Sequence, residues 1–160
     1  MPRSWSPLPV ALLLVACAPP APEPPPLDVA AVEQAVADLW TAYSSAVTSE
    51  NVEAVVAYYA EDVVLDVKGL PPVMGRPALD SLVRMVWQGM DIQEFRMLPG
   101  YTNVVTSDLV HQGGAFTELF TRNDSTIAEY GRYATGLVRG ADGQWRIAYL
   151  MGFPDSMVAR

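Results

Sequence analysis

The sequence predicts an α+β domain in which a curved, mainly antiparallel sheet wraps around three N-terminal helices. Apolar residues recur at helical spacing in much of the first half of the chain and alternate at strand spacing in most of the second half. The period first changes within Asn51–Gly69, where a short helical pattern runs into an alternating one with almost no loop. Short turn sequences separate the later strands, which favours an antiparallel meander.

The N-terminal residues predict export and membrane anchoring. Residues 1–16 read as a signal peptide, because the apolar run Pro9–Ala16 is too short to span a bilayer as a helix. The run ends in Leu14-Val15-Ala16-Cys17, which resembles a bacterial lipoprotein signal whose cysteine becomes acylated. We therefore expect a lipoprotein anchored through acyl chains on Cys17, on the periplasmic side or at the cell surface. An ordinary signal peptide followed by a free cysteine is the alternative.

A proline-rich segment separates this anchor from the folded domain. Six of the ten residues in 18–27 are proline, which excludes a helix or a central strand there. We expect residues 17–27 to form the lipidated cysteine and an extended tether, and residues 28–160 to form the domain.

Composition narrows the possible partners. The chain has 10 basic and 18 acidic residues and a net charge of −8, which argues against nucleic-acid binding and against electrostatic attachment to anionic lipid. Apolar residues make up 51% of the chain, enough for a substantial core. The single cysteine excludes an intramolecular disulfide.

Three segments predict helices, and each has a recognisable start. Asp28 is a candidate N-cap for a long helix that runs to about Val47. Asn51 caps a second, shorter helix, after which the alternation of Asp62–Lys68 predicts a strand. Pro77 suits the first position of a third helix, because no backbone N–H is needed there. The apolar face of this third helix comprises Leu79, Leu82, Val83, Val86 and Met90.

The rest of the chain predicts a loop and four strands. Gly69–Gly75 contains two consecutive prolines and predicts the loop. The glycines of Pro99-Gly100 and Gly113-Gly114 fall inside strands and favour bulges or bends there. The four predicted strands are Ile92–Val105, Val110–Thr121, Ile127–Arg139 and Gln144–Phe153. In the last of them, simple alternation places on one face Trp145, Ile147, Tyr149 and Met151.

Four motifs occur in an order that resembles the nuclear transport factor 2-like superfamily, and within it the SnoaL-like and ketosteroid-isomerase-like branch. The motifs are Tyr59–Leu65, Gly75–Leu79, Gly131–Ala134 and Asp142–Ile147, and the resemblance covers about Asp28–Pro154. It implies a cone-like fold in which the curved sheet and the helices enclose a pocket, often dimeric through the sheet. The superfamily includes isomerases, cyclases, dehydratases and proteins with no known activity, so the fold does not define the function.

The resemblance places a catalytic aspartate five residues beyond the aspartate that ends the second helix. Here that position is Val67, and Asp66 precedes it. In a regular strand Asp66 faces away from Val67, although a bulge could turn it into the pocket.

His111 is the only histidine, which excludes a histidine-rich zinc site. Its imidazole could act as an acid or base, or His111 could be an ordinary residue on a sheet edge.

Glu118 has two possible environments. It shares a strand face with Phe116 and Phe120. If that face lines the pocket, Glu118 is a buried acid with a raised pKa. If it is the outer face, the two exposed phenylalanines indicate a dimer interface. Arg132 could pair with Glu118, meet an anionic ligand or form a surface ion pair.

Aromatic side chains complete the predicted site. They combine an apolar ring with a polar group, which suits a small-molecule pocket as well as a plain core. The predicted ligand-binding residues are Tyr43, Tyr58, Tyr59, Trp87, Phe116 and Arg132. No phosphate-binding loop, nucleophile elbow or metal-binding spacing occurs, so the sequence predicts no cofactor and no metal.

We therefore expect a homodimeric domain that binds a small apolar or aromatic ligand. A pocket enzyme (isomerase, cyclase or dehydratase) and a protein-interaction module that uses the sheet face are the alternatives.

Overall fold

A computed structural model describes residues 26–160. The helices are α1 Val29–Thr48, α2 Val52–Ala57 and α3 Arg76–Trp87. The strands are β1 Tyr59–Val67, β2 Val73–Met74, β3 Met90–Thr106, β4 Leu109–Arg122, β5 Ser125–Arg139 and β6 Trp145–Ala159. The predicted signal peptide, Cys17 and most of the tether lie outside the described residues.

The six strands form one curved, open sheet in the order β2-β1-β6-β5-β4-β3. Neighbouring strands are antiparallel except β1 and β6, which run parallel. Parallel strands need a long connection, and here that connection contains α3 and the whole β3–β5 meander. The predicted α+β class, with a mainly antiparallel sheet around N-terminal helices, is confirmed.

Local capping explains where the helices begin. The Asp28 carboxylate accepts a hydrogen bond from the Ala31 amide at 3.0 Å, and the Asn51 side chain accepts one from the Ala54 amide at 3.0 Å. Both predicted N-caps are confirmed. The third helix ends at Trp87, and the prediction that its pattern continues to Met90 is wrong. Gly89 adopts φ 72°, a left-handed conformation that stops the helix before β3.

Strand pairing corrects several predicted boundaries. β1 begins at Tyr59 instead of Asp62, because Tyr59 pairs with Ile147 of β6. The predicted proline loop contains the short strand β2, which pairs with β1. β6 continues beyond the predicted end at Phe153 to Ala159, because β5 is long enough to pair with it throughout.

Bulges bend the sheet and change which side chains face the helices. β3 has a register shift between Pro99 and Tyr101, as its internal glycine predicted. A second shift leaves Ala148 of β6 without a partner on β5. The predicted alternation of β6 therefore fails after Ile147, and Leu150 packs against the core in place of Tyr149.

The main core lies between the concave face of the sheet and the helices. Its most buried residues, each 0–2% exposed, come from all three helices and from four strands: Val36, Val55, Leu79, Val63, Val110, Leu137 and Ile147. Within residues 26–160, no helix is both long enough and apolar enough to cross a membrane.

Candidate functional site

A cavity of about 210 Å³ lies between the helices and the concave face of the sheet. All three helices and every strand except β2 contribute to its wall. Most of the lining is aliphatic or aromatic, as is typical of small-molecule sites. The titratable side chains that line it are Tyr43, Tyr59, Glu118, Glu129 and Tyr133.

Two of these side chains are carboxyl groups on neighbouring strands. Glu118 of β4 and Glu129 of β5 are directly opposed in the antiparallel register. The turn between the strands fixes this register, because Asn123 and Asp124 have φ values of 50° and 60°. Positive φ at both central residues is typical of a two-residue type I′ hairpin turn. The turn therefore brings the two acids together on the cavity wall.

Burial raises the pKa values of both carboxyl groups. Removal from water raises the pKa of Glu118 to about 7, and the nearby Glu129 carboxylate contributes to the increase. Burial also raises the pKa of Glu129 above its usual range. Neither carboxyl group accepts a hydrogen bond from a side chain or backbone amide in the described part of the chain.

Arg122, whose charge acts on Glu118, makes its direct contacts elsewhere. Arg122 partly counteracts the raised pKa of Glu118 through its charge. Its guanidinium donates a hydrogen bond to the Val86 carbonyl and lies 5.9 Å from the centre of the Phe120 ring. Among the residues that the structure describes, its buried Nε has no partner. Arg122 therefore favours the ionised form of Glu118 without a direct ion pair.

Two phenols lie on another part of the wall. The hydroxyl oxygens of Tyr43 and Tyr59 are 2.7 Å apart, and either can be the donor. Burial raises the pKa of Tyr43 to about 12 and that of Tyr59 well above its usual value, so both remain protonated. One hydroxyl donates to the other, which leaves one phenolic proton for a further acceptor.

A buried hydrogen-bond network holds Tyr133 in place. The Gln112 side-chain oxygen accepts hydrogen bonds from Trp40 Nε1 at 2.5 Å and from the Tyr133 hydroxyl at 3.1 Å. The Gln112 amide group donates to Thr102 Oγ1 at 2.9 Å. Gln112 is only 4% exposed, so the loss of this acceptor would leave two buried donors unsatisfied.

The structure brings together most of the predicted site residues. It places Glu118 and Phe116 on the concave face, which selects the buried-acid alternative for Glu118. Tyr43, Tyr59 and Trp87 also line the cavity. Tyr58 does not line it; its ring packs edge-on against Tyr43, with the ring centres 5.9 Å apart.

Three predicted residues lie away from the cavity. Asp66 is on the opposite face of β1 from Val67, which itself lines the wall. His111 is exposed on β4, where it pairs with Asn103 and Gly136. Arg132 forms a surface ion pair with Asp155, with nitrogen–oxygen distances of 2.8 and 2.9 Å. Of the alternatives for Arg132, the structure therefore shows the surface ion pair, and Arg132 does not line this cavity.

Sequence reasoning missed Glu129 and Tyr133. A usable signal was present, because a two-residue turn at Asn123-Asp124 determines which residues of the two strands oppose each other. Strand alternation then places Glu129 and Tyr133 on the same face as Glu118.

No cluster of three or more histidine, cysteine or acidic residues suitable for a metal ion occurs in residues 26–160. A second concavity, of about 630 Å³, lies at the start of α1 beside the β3–β4 and β5–β6 turns. Its charged lining residues are Asp28, which caps α1, and Arg139, whose guanidinium bonds to the Gly143 carbonyl.

Solved structures with the same fold include proteins of different kinds. A ketosteroid isomerase-like protein from Erwinia carotovora atroseptica has 21% identity and a TM-score of 0.68, over 81% of this chain and 97% of its own. A hexachlorocyclohexane dehydrochlorinase, LinA-type3, from Novosphingobium barchaimii has 20% identity and a TM-score of 0.66, over 82% and 91%. A conserved protein from Planctomyces limnophilus has 16% identity and a TM-score of 0.71, over 82% and 99%. At these identities the similarity establishes the fold alone.

Sequence comparison identifies the family. A search of curated proteins found no match to the chain. Residues 28–151 match the SnoaL-like domain family, which is most of the chain. The predicted resemblance is thus confirmed, and the chain belongs to the SnoaL-like family.

Proposed function

We propose that this domain binds a small, largely apolar molecule in the cavity between its helices and its sheet. The observation that carries the proposal is the position of Glu118, an acid with a pKa of about 7 in an otherwise mainly apolar wall. A buried carboxyl group without a protein partner is costly for folding, and such groups concentrate at functional sites. The apolar wall would supply affinity, and Glu118 would orient a polar group of the ligand.

Proton-transfer catalysis is the second candidate. An acid whose pKa is close to neutral can both accept and donate a proton at physiological pH. Two of the solved structures described above are a ketosteroid isomerase-like protein and a dehydrochlorinase. An isomerase, cyclase or dehydratase reaction on the bound molecule would use Glu118 as its acid–base group, with a protonated phenol as hydrogen-bond donor.

The anchoring inferred from the N-terminal sequence gives this site a cellular setting. The acylated Cys17 and its tether would hold the domain at a membrane surface outside the cytoplasm. An interaction module that uses the outer sheet face is the remaining alternative, supported by the exposed side chains of Leu98, Tyr130 and Phe153.

Filling the cavity tests the proposed binding. Val83 lies on its wall and Met85 is exposed on the same helix, so Val83→Trp is the test variant and Met85→Trp the matched control. The probe is 2-naphthylmethanol, which is neutral and largely apolar. We expect the full chain and Met85→Trp to bind it equally, and Val83→Trp to bind at least about tenfold more weakly, because the indole occupies the space. Equal binding by all three proteins would refute the cavity as the site.

Mass spectrometry of molecules that co-purify with the full chain would supply a candidate substrate for the enzymatic alternative. Glu118→Gln should then reduce turnover by about 10²–10⁴ while binding persists, because the general base is lost. Asp66→Asn and His111→Gln are matched controls outside the cavity and should retain turnover. Binding without turnover in the wild-type protein would support the binding function alone.

A further inference from the structure

We propose that the cavity selects a lipophilic cation, an apolar or aromatic body that carries a protonated amine, with Glu118 and Glu129 as the recognition pair. This inference rests on the proposed binding function and adds the chemical class of its ligand. The two carboxyl groups are opposed on adjacent strands and both line the cavity.

The charged side chains of the cavity wall all have the same sign, because they are carboxyl groups. Its lining contains two carboxyl groups and, within the described part of the chain, no lysine, arginine or histidine. Phenols are the other titratable groups on the wall, and they remain neutral because burial raises their pKa values. An anionic ligand would be repelled by the ionised acids, whereas a cation would supply a countercharge in direct contact with them.

Glu129 gives an independent indication of a missing partner. It is 8% exposed, it lines the cavity, and no donor in residues 26–160 hydrogen-bonds to its carboxyl group. Charged groups are rarely buried without a partner, because their lost hydration is not replaced. An ammonium group has three donors and can bond to both carboxylates together.

The aromatic wall suits the same ligand. Tyr43, Trp87, Phe95 and Phe116 line the cavity beside the acids. Aromatic faces attract cations, and they also pack well against the apolar body of a ligand.

The groups that face Glu118 determine how binding depends on pH. Glu129 on β5 favours its protonated form, Arg122 on β4 favours its ionised form, and Tyr43 on α1 is close enough to be affected by its charge. Tyr59 on β1 and Tyr133 on β5 are the remaining titratable groups of the wall and stay neutral. Cation binding therefore requires ionisation of the acid pair and strengthens as pH rises through neutrality.

Three probes of similar size and shape separate the contribution of ligand charge to affinity from the contribution of apolar contacts. They are 2-naphthylmethylamine, 2-naphthylmethanol and 2-naphthoate, titrated against the full chain by calorimetry or fluorescence. At about pH 8 we expect the amine to bind about 10- to 100-fold more tightly than the alcohol, the range that a buried charge-assisted hydrogen bond supplies. The naphthoate should bind most weakly. Between about pH 6 and about pH 8 the affinity for the amine should rise about tenfold, while that for the alcohol stays constant.

Variants that neutralise one carboxyl group test whether the preference for the amine depends on Glu118 and Glu129. Glu118→Gln and Glu129→Gln should each weaken amine binding about tenfold or more and weaken binding of the alcohol much less, because a glutamine amide can still hydrogen-bond to a hydroxyl group. Glu33→Gln, at an exposed position on α1, is the control for the same chemical change. Equal affinity for amine and alcohol, or an amine preference that survives in both variants, would overturn the cation assignment and leave the proposed cavity in place. Failure of all three probes to bind would overturn both proposals.

Discussion

The aromatic ring of Phe116 lies over the backbone of Gly131 on the neighbouring strand, where the two residues are directly opposed. A Cβ atom at Gly131 would come closer than 3.0 Å to two carbons of that ring and to the Phe153 carbonyl oxygen. Only glycine leaves room for the ring at this point, so the absence of a side chain on β5 shapes the cavity wall beside Glu118.

Gly131→Ala should therefore displace the Phe116 ring and destabilise the protein by about 1–3 kcal/mol, as overpacking commonly does. Gly136→Ala is the matched control on the same strand, because its Cβ would meet Tyr149 Cβ at 4.0 Å, an ordinary contact. Urea unfolding of both variants checks this. A loss of stability at Gly136 equal to that at Gly131 would contradict the steric explanation.

The raised pKa of Glu118 predicts a stability that depends on pH. Its pKa is about 7 in the folded state and 4.5 when unperturbed, so between these values the folded protein binds more protons than the unfolded chain. The free energy of unfolding should therefore fall as pH rises from about 4.5 to about 7, by up to about 3 kcal/mol from this group, and then level off. The raised pKa of Glu129 acts in the same direction.

Urea unfolding between about pH 5 and about pH 8 measures this decline, and Glu118→Gln should flatten it because the titrating group is gone. Surface acids with lowered pKa values, Glu53, Asp142 and Asp155, titrate below this window. Glu33→Gln should retain the wild-type slope. An unchanged slope in Glu118→Gln would mean that another group dominates the dependence.

The outer face of the sheet predicts a homodimer. Leu98 of β3 and Phe153 of β6 are exposed there, and burial in a second copy would remove their apolar surface from water. Light scattering on residues 27–160 at micromolar concentration should give twice the monomer mass. Leu98→Asp combined with Phe153→Asp should give a monomer, whereas Met85→Asp on the exposed side of α3 should not. A wild-type monomer would count against both the dimer and the interaction module.

The lipoprotein prediction is tested at Cys17. Acyl chains should place the wild-type protein in the membrane fraction, from which detergent releases it. Cys17→Ala should move the protein to the aqueous fraction or leave an unprocessed precursor. Mass spectrometry of the N-terminal peptide provides the direct measurement, and a wild-type peptide without an acyl mass would refute the anchor.

The sequence alone determined most element types and most helix boundaries, because these depend on local interactions. Asp28 and Asn51 cap the amides that follow them, and apolar periodicity separates the helices from the strands. The two adjacent residues of the Asn123-Asp124 turn determine how β4 and β5 are aligned. These local signals, in a particular order, were sufficient to identify the family and the fold.

The tertiary structure decided which of the candidate residues line the cavity. The bulge at Ala148 reverses the faces of the residues from Tyr149 to Pro154, and simple alternation does not anticipate it. Arg132 is paired by Asp155, which β6 brings beside it from a distant part of the sequence. Glu118 acquires its raised pKa because the assembled fold buries its carboxyl group and places the Glu129 carboxyl group opposite it. The burial of a side chain and the identity of its partners depend on all the elements that pack around it. They therefore follow from the assembled fold and not from any local segment.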